Sequence, residues 1–240
     1  MKKLLPLLLI FCFSAIYAQK QKELSSNILS PKEKQQGWVL LFDGTTLNGW
    51  KGFNVTDVPK NWSVEGNQLT CSRKGENMEG DILTAEKYEN FELMVDWKVS
   101  AKANSGIFYH VVEGSQYHSP YETGPEYQVI DDLGWPDKLG EWQKTGSDYA
   151  MHPADTTKKV LQPVGQWNHT KIIVNRGHVQ HWLNGKKIVD FQAWTPEWYG
   201  KVKACKFNDL PDYGKAKIGY IGLQNEQGSI CFKNIKLRKL

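Results

Sequence analysis

With 240 residues, 30 Lys and Arg against 26 Asp and Glu, and a formal charge of +4, the chain lacks the basic excess of a nucleic-acid binder. Acids and bases are interspersed, and removing Lys2 and Lys3 with a leader would bring +4 to +2. Ten tryptophans and ten tyrosines are a heavy aromatic load, and rings of this kind either fill cores or, when exposed, stack on the apolar faces of sugars.

Residues 1–18 read as a cleaved signal peptide: Lys2-Lys3, a short apolar run from Leu4 to Phe13, and Ala15-Ile16-Tyr17-Ala18 ahead of Gln19. The run is too short for a membrane span, and no later segment is apolar enough to be one. The mature chain is therefore expected in the periplasm or outside the cell. Gln19 to Gln36 is polar and Lys-rich and reads as a flexible tether. Residues 37–240 carry no linker and form one domain.

From Gly37 onward the signals are those of strands. WVLLFDG is an apolar run stopped by a turn, and Glu65-Gly66-Asn67 marks a hairpin. NFELMVDWKVS alternates cleanly, with Phe91, Leu93, Val95, Trp97 and Val99 on one face. SGIFYHVV follows, then GPEYQVIDD. Residues 132–166 are long, irregular and aromatic (Trp135, Trp142, Tyr149), as expected of a wall or lid beside a site. HTKIIVN, then HVQHWLNGKKIVDF with its Asn184-Gly185 turn, and finally KIGYIGLQNE and SICFKNIKLRKL supply the remaining strands. A second irregular stretch, 192–214, separates them, and no helix is expected. The class is all-β, a sandwich of two antiparallel sheets. Cys71, Cys205 and Cys231 are an odd count after leader removal and match no zinc spacing, so they read as unpaired thiols.

In GPEYQVIDD, Glu126, Gln128 and Ile130 project one way while Tyr127 and Val129 project the other. The apolar side packs between the sheets, so an acid and an amide face outward, where a curved sheet would gather them into a groove. Gln224 and Trp182 with Gln180 offer similar polar or stacking groups. His181 shares its face with Val179 and Leu183, as a core histidine does. His110 and His152 stand in better contexts for proton transfer. His118, His152, Glu126, Asp131 and Asp132 could supply metal ligands, but no HxH or HExxH spacing occurs, and Asp131-Asp132 suits a turn cap. There is no nucleophile elbow, phosphate loop or dinucleotide fingerprint.

GWVLLFDGTTLNGWKG, YENFELMVDWKVSAKANSGIFYHV, GPEYQVIDD, GQWNHTKIIVNRGHVQHWLNGKKIVDF and GYIGLQNEQGSICFKNIKLRKL resemble, in order, the blocks of the 3-keto-disaccharide hydrolase family. The resemblance implies a concanavalin-A-like jelly roll with long loops over a concave face, and a secreted protein of the Bacteroidetes. It implies an enzyme acting on an oxidised mono- or disaccharide or a plant glycoside. A ketone at carbon 3 acidifies the hydrogen on carbon 2; a base removes it, the aglycone leaves carbon 1 by β-elimination, and water adds back. On this reading Glu126 is the base, with His152 and His181 as further catalytic candidates. Gln128, Asp131, Tyr149, Trp182, Asn184 and Gln224 contact sugar. No cofactor is implied, though a divalent metal is compatible; the oligomeric state is not indicated. The family's usual Gly-Leu-Gln-Asp-His-Gly is altered here, with Asn225 and Glu226 in place of the acid and histidine. Two other readings share these residues: a non-catalytic sugar-binding module, and a conventional glycoside hydrolase pairing Glu126 with Asp131.

Overall fold

The computed structural model describes residues 26–72 and 80–240; the expected signal peptide, 1–18, and residues 19–25 of the expected tether lie outside them. Period-two alternation builds the two expected antiparallel sheets. The larger runs β11 (Lys186–Gln192), β10 (His178–Leu183), β9 (Asn168–Asn175), β6 (Phe91–Val99), β13 (Ser229–Lys239), β4 (Gln68–Ser72) and β3 (Trp62–Glu65). A two-residue strand, β1 (Val39–Leu40), also pairs with β13. The smaller sheet runs β2 (Trp50–Gly52), β5 (Ile82–Tyr88), β12 (Gly219–Leu223), β7 (Asn104–Val111) and β8 (Glu126–Ile130).

The core lies between the sheets. Leu93, Val95 and Trp97 of β6 and Ile172 and Val174 of β9 belong to the same buried cluster as Ile107 and Tyr109 of β7 and Tyr127 and Val129 of β8. Each such side chain contributes about 1.5–3 kcal/mol on leaving water. Trp97 keeps its indole N–H satisfied in that interior by donating to Thr170 Oγ1 at 2.8 Å. Two hairpins turn through consecutive left-handed residues, Gly66-Asn67 (φ 56° and 64°) and Asn184-Gly185 (φ 47° and 82°), the backbone of a type I′ turn, whose twist matches the flanking strands.

Two expectations are corrected. The polar segment before residue 37 is folded over its described part, 26–36. Ser30 caps the short helix α1 (Pro31–Gln35): its Oγ accepts from Glu33 N, while the Glu33 carboxylate accepts from Ser30 N at 2.8 Å, a reciprocal capping box. Glu33 also pairs with Lys236 of β13. Upstream, Asn27 and Asn234 exchange backbone-to-side-chain hydrogen bonds, both 2.7 Å, and Asn27 Nδ2 donates to Asn67 O at 2.9 Å. Asn234 sits at φ 51° where β13 shifts register, so the segment is pinned at a bulge of a central strand. The second correction is helix α2 (Pro196–Ala204) in the stretch taken as irregular. Of its residues only Trp198 is buried, so no helical stripe marks it; it starts from its Thr195 cap and Pro196.

Asn27→Ala should lower unfolding free energy by about 1–2 kcal/mol, because it leaves part-buried partners unpaired in the Gly66-Asn67 turn and on β13. Urea unfolding monitored by tryptophan fluorescence measures it, and a loss under 0.5 kcal/mol would mean the clasp contributes nothing.

Candidate functional site

β8 is an edge strand of the smaller sheet, and an edge strand leaves a row of unpaired amides and carbonyls. Residues 146–149 cover that edge. Gly146 N donates to Gln128 O at 2.8 Å, Gln128 N to Ser147 O at 3.1 Å, and Tyr149 N to Glu126 O at 3.0 Å. Because Tyr127 and Val129 point between the sheets, alternation turns Glu126 and Gln128 to the opposite face. Both are nonetheless buried, at 5% and 3% exposure, since the loops that close over this face cover them. They are not on the open outward surface the sequence suggests.

The result is a cavity of about 180 Å³. β8 gives it Glu126 and Gln128, β7 gives Asn104, and the chain leaving β12 gives Gln224 and Glu226. Loops add Tyr121, Tyr149, Lys206 and Phe207. The volume is below the ~300–1,000 Å³ of sites for drug-sized ligands and suits a single pyranose ring. Its floor depends on a glycine. A Cβ on Gly106 of β7 would stand 1.9 Å from Glu126 Oε1, so the absent side chain is the space the carboxyl occupies.

Polar chemistry converges here. Asn104 Oδ1 and Gln224 Oε1 are buried with no hydrogen-bond partner, a costly condition that a ligand's hydroxyl donors would relieve. Gln128 Oε1 accepts from Val129 N at 2.9 Å, so its amide NH₂ is the end left for a ligand. Burial pushes the Glu126 carboxyl well above the ordinary carboxylate range, with further upward pressure from Asp81, Glu226 and Asp148; Lys206 pulls the other way. Asp81, whose Oδ1 accepts from Asn225 N at 2.7 Å, is itself pushed up to about 7, chiefly by burial. Lys206 is held over the rings of Tyr149 (4.8 Å) and Phe207 (5.5 Å), a cation–π arrangement.

Glu126, Gln128, Tyr149 and Gln224 are therefore brought together, and the other expected site residues are not. His181 is fully buried between the sheets, where its Nδ1 meets Gly146 O at 3.1 Å, its Nε2 meets Tyr109 OH at 3.4 Å, and burial holds its pKa down to about 3. It is a neutral core histidine. His110 is likewise buried, against Glu89 O at 2.8 Å, with a pKa lowered by burial to about 4. His152 pairs through Nδ1 with Asp148 at 2.8 Å and stacks on Phe191 at 4.2 Å, lining a different cavity beside α2. Trp182 lies on the outer face of the other sheet under Lys171 (4.3 Å). Asn184 is consumed by its turn: its side chain bonds Val160 O, Asn168 Oδ1 and His169 N, each at 2.8 Å. Asp131 caps a loop, accepting from Lys102 N and Gly134 N at 2.9 Å. Among the described residues no group of three or more His, Cys, Asp or Glu could hold a metal ion, and His118, Glu126, Asp131, Asp132 and His152 do not assemble into one.

Asn104, Tyr121, Lys206 and Phe207 escape the sequence reading, and Glu226 enters it only as a departure from the family block. Asn104 had a signal, since it precedes Gly106 and Phe108 on one face of β7. Lys206 and Phe207 had none, because the stretch that carries them has no period.

The raised pKa of Glu126 has a stability consequence whose sign is fixed. The folded protein holds the Glu126 proton to a higher pH than the unfolded chain does. The stability this confers is complete at low pH and is lost as pH rises through the elevated folded value. Glu126→Gln has no charge to bury, so it should melt above the wild type at pH 8, with the gap closing towards pH 4. Thermal scans at both values test it; equal melting temperatures at pH 8 would mean the carboxyl is solvated.

Comparison with known proteins agrees with this architecture. Residues 37–238 match the family model described as a 3-keto-alpha-glucoside-1,2-lyase-like domain. The 3-keto-disaccharide hydrolase of Bacteroides thetaiotaomicron is 34% identical over 250 residues, covering 93% of this chain and 86% of that protein. A crystal structure from Parabacteroides distasonis, provisionally described as a glycosyl hydrolase, is 40% identical with a TM-score of 0.83, covering 90% of this chain and 100% of that one. The carbohydrate-binding module CBM66 of Bacillus subtilis shares the fold at 12% identity and a TM-score of 0.50, over 80% of this chain and 96% of its own. The chain belongs to the family of 3-keto-alpha-glucoside-1,2-lyase-like domains and is an enzyme of that hydrolase or lyase class.

Proposed function

We propose that this enzyme cleaves 3-keto-glycosides by removing the proton from carbon 2, expelling the aglycone from carbon 1 and adding water across the resulting double bond. The observation that carries this reading is the buried carboxyl of Glu126, which among the described residues accepts no hydrogen bond and lines a cavity of sugar size with Lys206 and two unpartnered amide oxygens. A carbon acid beside a ketone is weak, so its base must be stronger than an ordinary carboxylate. Burial supplies that by raising the pKa of Glu126.

Glu126 takes the proton from carbon 2, and the electron pair delocalises onto the oxygen at carbon 3. The Lys206 ammonium stabilises that enolate oxygen as charge develops there. Collapse of the enolate breaks the bond from carbon 1 to the aglycone oxygen, which takes up the proton held by Glu126. Water then adds at carbon 1, giving a proton to the Glu126 carboxylate, which passes it to carbon 2. Net hydrolysis results and the carboxylate is restored. Asn104, Gln128 and Gln224 orient the ring hydroxyls.

Aglycone release from a 3-keto-glucoside, run beside the unoxidised glucoside, tests the reading. Release from the ketone alone is expected; release from the unoxidised glycoside would point instead to a conventional glycosidase. Glu126→Gln should abolish turnover and leave sugar affinity within about tenfold, because the amide keeps the shape without the basicity. For the wild type, kcat/KM should rise with pH through the elevated Glu126 pKa, since the base works only when deprotonated. Lys206→Met removes a cation that lowers that pKa, so its limb should move to higher pH while kcat falls about 10²-fold. An unmoved limb would take Lys206 out of the site. Export is part of the proposal and rests on the leader-like residues 1–18: mass spectrometry of protein from the culture or periplasm should find Gln19 as the first residue.

A further inference from the structure

The reacting sugar fills the cavity, so the group it is joined to must lie outside. What surrounds the mouth is aromatic. Tyr121 lines the cavity and is still 40% exposed, which places it at the opening. Tyr149, also on the lining, continues outward into Trp142 at 5.5 Å between ring centroids and 63° between planes. Trp142 is 39% exposed. On the inner side Tyr149 approaches buried Phe207 at 6.3 Å. Three rings therefore step from the interior to solvent, and Lys206 lies over two of them. Exposed Trp and Tyr cost hydration and are a means of binding flat, apolar-faced groups.

The loop that carries Trp142 is tied through the residue's carbonyl, which accepts from Ser147 Oγ at 2.9 Å and from Ala150 N at 3.3 Å. The 146–149 segment is fixed independently along the β8 edge. The indole itself packs edge-on to Tyr149 and keeps its outer part in solvent.

We infer that Tyr121 and the Tyr149–Trp142 pair form an aglycone subsite that takes a flat ring, either an aryl group or a second sugar presenting its C–H face. This rests on the proposed reaction, because it assigns the leaving group a place next to carbon 1. A small alkyl leaving group cannot reach the exposed rings and draws nothing from them.

Three 3-keto-glucosides test the subsite, with methyl, 4-nitrophenyl and glucosyl leaving groups. For Trp142→Ala, kcat/KM should fall roughly three- to tenfold on the ring-bearing substrates, the scale of one lost stacking contact, and less than about twofold on the methyl substrate. Trp142→Phe should recover most of the loss, and melting temperatures near the wild type's should accompany both variants. A loss confined to the nitrophenyl substrate identifies an aryl occupant, and one confined to the disaccharide identifies a sugar. Equal losses on all three substrates, or none, overturn the inference. Affinity is measured as well, by titrating the same glycosides into Glu126→Gln with and without Trp142→Ala. If the wild type releases no aglycone at all, the proposed reaction fails, yet this arm still decides: unchanged affinity for the ring-bearing glycosides rejects the subsite.

Discussion

Putting a carboxyl on the wall of a narrow, loop-covered cavity, where it is only 5% exposed, sets the terms for everything around Glu126. An ionised carboxylate loses several kcal/mol of solvation in such a place unless charges or donors replace the water. Here no donor does so among the described residues, and the nearby charges are mostly of the same sign. The side chain fits only because β7 offers a bare backbone at Gly106. The fold therefore spends stability on a group that a solvated surface would accommodate at no cost. That is the usual signature of a site selected for chemistry over robustness.

The surrounding structure can be understood as what keeps that group in register. β8 is paired on one side by β7 (Phe108 opposite Glu126, Gly106 opposite Gln128) and on the other by residues 146–149. A carboxyl borne by a strand held on both edges has little freedom to wander, which is the precision a base needs when a small displacement of reacting atoms is costly. The cation of the cavity is held differently. Lys206 belongs to an irregular stretch, and its anchor is the π-face of Tyr149 and Phe207. Phe207 in turn stacks on Tyr213 at 4.0 Å, and Tyr213 lies nearly parallel to Trp198 of α2 at 6.4 Å. The unforeseen helix thus supports the cation through a column of rings.

Alternation along a single strand fixes which side chains share a face, and it does not fix which sheet a second strand joins. The faces assigned to β6, β8 and β10 are those observed, so Glu126, Gln128 and Gln224 were found from alternation and strand ends. Trp182 was also given the correct face of its own strand. Nothing in HVQHWLNG says which sheet that strand joins, and β10 joins the larger one, which puts Trp182 on the far side of the molecule from Glu126. His181 shows the same limit, because a histidine among aliphatics reads as core or as site until the partner across the sheets, here Tyr109, is known. Tyr149 was legible only as part of an aromatic loop. Lys206 was not legible at all, since its position depends on which rings lie beneath it.

Alternation also explains the change at the end of β12, where the family's Asp-His is Asn225-Glu226. Gln224 and Glu226, two residues apart, both line the cavity. Asn225 turns away, its N–H on Asp81 and its Oδ1 accepting from Cys71 Sγ at 3.1 Å. The two substitutions are therefore unequal. At the supporting position an amide replaces an acid beside Asp81, already pushed up to about 7, so a second carboxylate there would add repulsion in a desolvated place. At the cavity wall a carboxyl replaces an imidazole, and it raises the Glu126 pKa further. Relative to the block this chain resembles, the carboxyl stands at the cavity wall and not behind it. If Glu126 acts as the proposed base, the neighbouring Glu226 makes it harder to ionise.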